Sequence, residues 1–167
     1  NGIDSNDRQY TGMPTTPEIV YGFGPSLRYK KFDFSFFFQG AARVSIMMNG
    51  IHPFGADGTR NVLQFIADDY WSDTNQDIYA GYPRLSKRDN EDDTKAATYW
   101  QRNGAFLKLK NLEVGFNHKF FRVYLRGSNL LTFSPFKYWD PEMGSGSGLS
   151  YPTQRVFNVG VQFSINK

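Results

Sequence analysis

The chain has 167 residues, 40% hydrophobic and 21% charged, which is enough to bury a core and too apolar for wholesale disorder. It has no cysteine and two distant histidines, His52 and His118, which excludes a disulfide framework, a cysteine nucleophile and any zinc-ligand spacing. The net charge of +3 comes from 19 basic and 16 acidic residues with no basic run beyond Lys30-Lys31 or Lys87-Arg88, so nothing points to nucleic acid.

A mean hydropathy of −0.54 without a long apolar run excludes a membrane-crossing helix. It leaves open a membrane β-barrel, whose strands are apolar on one face only. Aromatic residues make up 17% of the chain beside sixteen glycines, a composition that points to β-structure with many turns. The chain opens at Asn1 without a signal-peptide pattern, as expected of a processed protein or of part of a longer one.

Read at period two, the first segment, 19–29, places Ile19, Tyr21, Phe23, Pro25, Leu27 and Tyr29 on one face. Across Lys30-Lys31 the second, 32–46, sets Phe32, Phe34, Phe36, Phe38, Gly40, Ala42, Val44 and Ile46 against Asp33, Ser35, Gln39, Arg43 and Ser45, with Phe37 and Ala41 as exceptions. A loop from Met47 to Asn103 follows, long enough to carry structure or function of its own. Within it Val62, Leu63, Phe65, Ile66 and Tyr70 recur near helical spacing and predict a short amphipathic helix between Arg60 and Tyr70.

The third strand, 105–117, changes phase: Leu107 and Leu109 give way to Leu112, Val114 and Phe116, which predicts a β-bulge near Asn111. After a tight turn, the fourth strand, 121–130, sets Phe121, Val123, Leu125 and Gly127 against Arg122, Tyr124, Arg126 and Ser128. The loop 131–154 leads to the fifth strand, 155–165, with Phe157, Val159, Val161, Phe163 and Ile165 on its apolar side.

Tight turns thus alternate with long loops, and each strand is long enough to cross a bilayer at a tilt. That is the signature of an antiparallel transmembrane barrel with short periplasmic turns and long extracellular loops at 1–18, 47–103 and 131–154. Tyr29, Phe32, Phe34, Phe116, Phe121 and Phe163 cluster at the short-turn end, as an interfacial girdle would. Five strands cannot close a barrel, and an open sheet cannot stand alone in lipid, so the chain is expected to be part of something larger. The alternative is a soluble β-sandwich, such as a carbohydrate-binding module, with its aromatics facing a core.

Five stretches carry a family resemblance. PEIVYGFGPSLRYKKFDFSFFFQG (17–40), DDYWSDTNQDIYAGYPRLS (68–86), NGAFLKLKNLEVGF (103–116), VYLRGSNLLTFSPFKYWDPEMG (123–144) and YPTQRVFNVGVQFSI (151–165) occur in order and at compatible spacing. Together they resemble the C-terminal barrel portion of the SusC-like (SusC/RagA) TonB-dependent outer-membrane transporters. Members of that family often end on an aromatic residue, whereas here Phe163 is followed by Ser-Ile-Asn-Lys. The resemblance implies a plugged barrel that imports oligosaccharides or peptides across the outer membrane of Bacteroidetes-type bacteria. It also implies a SusD-like surface lipoprotein over the mouth, energy from TonB through an N-terminal part outside this chain, and contact with outer-membrane lipid. No cofactor is implied.

Trp71, Tyr79, Tyr82, Trp100, Tyr138 and Trp139 are the substrate candidates, since exposed aromatic faces suit sugar rings and peptide side chains. Packing of the loops is the plainer role for each of them. Arg28, Arg43, Arg122 and Arg126 are expected to line the lumen and to pair with carboxylates there. Asp73, Asn75 and Asp77 open like a calcium loop, but Ile78 and Arg84 stand where such a loop needs Gly and Glu, so an EF-hand is excluded. The acids at 89–93 read as a solvated loop tip. No catalytic triad, phosphate loop or spaced carboxylate pair is present, and the expectation is a non-enzyme.

Overall fold

The computed structural model describes residues 4–55, 58–86 and 95–164; the acids at 89–93 and residue 165 of the expected closing strand lie outside them. Among the described residues eight strands form: β1 Ile19–Phe23, β2 Ser26–Tyr29, β3 Phe32–Ala42, β4 Ser45–Met47, β5 Gln101–Asn103, β6 Phe106–Asn117, β7 Phe121–Phe133 and β8 Val156–Phe163. Six of them make one open antiparallel sheet in the order β1-β3-β6-β7-β8, with β2 beside β1 on the same edge of β3. β1 and β2 share one register on β3, from Ile19 opposite Ala42 to Tyr29 opposite Phe32. They part only at Gly24-Pro25, because Pro25 has no N–H to donate. Gly24 is required there, since a Cβ on it would lie 2.1 Å from the Phe36 carbonyl oxygen.

Register carries the sequence alternation across the whole sheet. Phe32 stands opposite Phe116, Phe116 opposite Val123 and Val123 opposite Val161, so one face is apolar from edge to edge. The phase change in β6 is a bulge: Phe37 pairs with Asn111 and Phe38 with Leu109, leaving Lys110 as the extra residue. On the other side of β6, Asn111 pairs with Ser128 and Leu109 with Leu131, and Asn129 takes φ 55 to absorb the step. Phe37, the apolar exception on the charged face, packs over Gly22, where a Cβ would lie 2.9 Å from the ring.

Two strand boundaries differ from the sequence expectation by more than two residues: β7 runs on to Phe133 rather than ending at 130, and the second strand ends early. The second strand leaves the sheet at Arg43, which adopts φ 50, and Ser45–Met47 pair instead with Gln101–Asn103. The two stems of the long loop therefore zip to each other beyond the sheet. The loops they hold build a core of their own from Ile46, Met48, Ile51, Ile66, Tyr82, Trp100 and Phe136. Ile66 comes from a short helix, α1 Gln64–Asp68, and is fully buried. No helix among the described residues is long and apolar enough to cross a membrane.

Candidate functional site

The charged face of the sheet carries an ion-pair ladder running obliquely over β3, β6 and β7. Asp33 on β3 reaches past Gly115 on β6 to the Arg122 guanidinium on β7 at 2.5 Å, and the Asn117 amide also donates to it. Arg122 also donates to Glu113 at 2.6 Å, and Glu113 receives Arg126 at 2.5 Å. Gly115 leaves the room for this crossing: a Cβ there would sit 2.4 Å from Asp33 Oδ2 and 2.7 Å from Arg122 Nη2. Arg28 stands opposite Asp33 in register and joins the same face. Arg43 does not join it; its exposed side chain lies past the end of β3 and pairs with Glu18.

Farther along the same face, toward the long loops, lies a second cluster that the sequence reading passed over. Lys108 is 1% exposed. Its Nζ is 2.5 Å from Asp140 and 2.6 Å from Glu142, and Lys110 Nζ is 2.8 Å from Glu142. Asp140 also caps the short 3-10 turn Pro141–Met143, accepting from the Glu142 N–H. Burial pushes both carboxyls upward, but their bonds to Lys108, and for Glu142 also to Lys110, outweigh it and hold them below their ordinary range. The loop between β7 and β8, residues 134–155, is thereby fastened down onto the sheet.

The six aromatic candidates separate by burial. Tyr82 and Trp100, at 3% each, are core residues of the loop cap rather than the exposed rings expected of them. Tyr138 and Trp139 are half-buried against Phe136, and the Trp139 indole donates to the Gly144 carbonyl. Trp71 is half-buried, and only Tyr79, at 83%, presents a free ring. Tyr99, next to Trp100, donates its hydroxyl to the Ala80 carbonyl at 2.5 Å, and burial pushes that phenol up to about 12.

The loop carboxylates serve turns. Asp69 accepts from the Gly81 N–H, Asp77 from the Tyr79 N–H, and Asp68 from the Gln64 amide. No group of three His, Asp or Glu side chains able to hold a metal occurs among the described residues. A cleft of about 590 Å³ opens between the segment around Met13-Pro14 and the β4–β5 ribbon, bordered by Arg43, Gln101 and Arg102. A smaller cavity of about 260 Å³ lies beside the Lys108 cluster, against Asn129 and Trp139.

Arg122 and Arg126 were expected to pair with carboxylates, but their partners Asp33 and Glu113, and the whole Lys108 cluster, were missed for one reason. Their acids lie on β3, β6 and a loop, so only tertiary register brings them to their bases. For the Lys108 cluster the sequence signal was Lys108 itself, a lysine on the same face as Gln39 and Glu113.

No family model matches the chain. It is 30% identical over 182 residues to TonB-dependent receptor P3 of Formosa agariphila, covering 95% of this chain and 17% of that protein. It is likewise 30% identical over 186 residues to TonB-dependent receptor P26 of the same organism, covering 95% of this chain and 18% of that one. Among solved structures it is similar to the RagAB peptide transporter, with a TM-score of 0.69 at 21% identity over 96% of this chain and 19% of that chain. The RagAB peptide importer in its open-open state gives a TM-score of 0.63 at 22% identity over 90% of this chain and 17% of that chain. The chain thus spans under a fifth of the proteins it matches.

Proposed function

The chain belongs to the TonB-dependent receptors, and from that premise we propose that it supplies the C-terminal barrel wall and folded outer loops of a SusC/RagA-like importer of bulky nutrients. The observation that carries this reading is the sheet's apolar face. Tyr29 is 71% exposed, Val159 76% and Phe163 76%, and the row between them includes Leu125 and Val161. Nothing among the described residues covers that face, and its reverse carries the Asp33–Arg122–Glu113–Arg126 ladder. A sheet with hydrocarbon on one side and a wet, charged lumen on the other has this division. A β-sandwich would bury the apolar face under a second sheet, and the strands outside this sheet, β4 and β5, pair only with each other.

In this reading the turns at Lys30-Lys31 and His118–Phe120 face the periplasm and the loop cap faces outward. The cargo is an oligosaccharide or a peptide, a SusD-like lipoprotein closes over the cap, and TonB acts on a segment outside this chain. Tyr79 and the cleft beside Arg102 are the parts of the cap open to cargo. Outer-membrane fractionation of the full-length protein tests the reading. It should float with the outer membrane, run faster on gels unheated than boiled, and bring a surface lipoprotein with it through purification. A monodisperse full-length protein in buffer without detergent would overturn it.

A further inference from the structure

The two short turns are locked side by side: the Asn117 N–H donates to the Lys31 carbonyl at 2.6 Å, and the Asn117 amide reaches the same oxygen at 3.4 Å. That contact gathers Lys30, Lys31 and Lys119 on one rim of the sheet, all three exposed. Two of them lie back along aromatic rings. Lys30 Nζ is 5.3 Å from the Tyr29 ring centre and Lys119 Nζ is 5.4 Å from that of Phe120. Tyr29, Phe32 and Phe163 are exposed on the apolar face at this same end, and Phe120 is exposed in the turn. No ion pair involves these three lysines among the described residues, and the acid nearest in sequence, Asp33, is taken up on the opposite face by Arg122 and Asn117.

From this juxtaposition we propose that the rim is a binding surface for the headgroups of anionic phospholipid. The proposal rests on the membrane reading above and goes beyond it by naming the lipid class. Side chains with apolar stems on exposed rings and ammonium tips beyond them are built for the boundary between acyl chain and phosphate. Three unpaired cations within one rim attract anionic headgroups over zwitterionic ones, and salt weakens that attraction.

The test uses the full-length receptor in vesicles of phosphatidylcholine alone and of phosphatidylcholine mixed with phosphatidylglycerol, reading the thermal midpoint of the heat-modifiable form. The wild type should melt several degrees higher in the mixed vesicles at low salt, and the gap should shrink at high salt. The variant with Lys30→Gln, Lys31→Gln and Lys119→Gln should lose most of that gap, and the corresponding Arg variant should keep it. Equal gaps in the wild type and the Gln variant, or no gap in the wild type, would overturn the headgroup surface and leave the barrel standing. A wild type with no heat-modifiable form in any vesicle would overturn both.

Discussion

The ring of Tyr124 lies over the α-carbon of Gly160 on the neighbouring strand, so close that a Cβ on Gly160 would be 2.2 Å from Cζ. The ring is pinned from its own strand as well, with the guanidinium carbons of Arg122 and Arg126 at 4.9 and 5.7 Å from its centre. Gly160→Ala must therefore displace a side chain that two arginines hold, an overpacking that costs about 1–3 kcal/mol. In a Tyr124→Ala background the three nearest atoms, all of that side chain, are gone, and the same change should be neutral or stabilising, because Gly weakens a strand interior. Urea midpoints of the four proteins in detergent measure the coupling, and additive effects would refute it.

Lys108 makes the second prediction. Lys108→Met leaves Asp140 and Glu142 partly buried with their principal cation gone, which costs about 3–5 kcal/mol when a buried pair is broken. Adding Asp140→Asn and Glu142→Gln should recover part of that loss, since no carboxylate is then left stranded and only the less buried Lys110 loses its partner. Amide hydrogen exchange across 134–146 should rise in the single variant and fall back in the triple.

The same cluster sets a pH dependence. Both carboxyls sit below their ordinary values of 3.8 and 4.5, so the fastened loop binds protons less readily than the loose one. Its stabilisation is complete above those values and is lost as pH falls through the lower, folded ones. Exchange in 134–146 should therefore be flat from neutral pH down to the ordinary carboxylate range and should accelerate below it, beyond the intrinsic pH effect. A rise beginning near neutrality would point to some other group.

Period-two alternation made the sheet legible because its strands set an apolar face against a charged one over most of their length, as lipid and lumen would demand in the proposed barrel. The bulge was legible for the same reason: one inserted residue, Lys110, flips every later side chain. The exit of Ser45–Met47 was not, since Val44 and Ile46 continue the alternation and only the left-handed turn at Arg43 diverts the chain. Apart from the short helix at Gln64–Asp68, the cap was opaque. Met48, Ile66, Tyr82, Trp100 and Phe136 come from separate loop stretches without a common period, and aromatics there read as core in the plainer case and as ligand surface in the other.

That ambiguity yields a direct comparison between Trp100 and Tyr79. Trp100→Ala empties the centre of the cap, where the indole packs edge-on to Tyr99 and against Tyr82, and should cost about 3–5 kcal/mol. Tyr79→Ala removes a ring that is 83% exposed and should leave the fold unchanged. Limited proteolysis separates them: the Trp100 variant should be cut rapidly within 47–103, and the Tyr79 variant at the wild-type rate. A change in uptake by Tyr79→Ala without a change in cleavage would mark that ring as a cargo contact.

The facing of β8 decides the last prediction. Val161 stands opposite Val123 on the apolar side, and Gln162 stands opposite Arg122 on the charged side. Val161→Arg would place a charge on the lipid side of the proposed barrel, at up to about 2–4 kcal/mol at mid-depth and less toward the rim, lowering the amount of heat-modifiable barrel in the outer membrane. Alternation alone would allow any charge at 162, but the register shows that an Arg there would oppose Arg122, and like charges directly opposite destabilise a sheet. Gln162→Glu is the informative partner: a full charge one residue away, facing water and a guanidinium, which should leave assembly near the wild-type level. Depth, strand and neighbouring sequence are shared by the two substitutions, so the difference isolates which way the side chain points. Equal loss in both, or a greater loss for Gln162→Glu, would mean that β8 faces the opposite way in the bilayer.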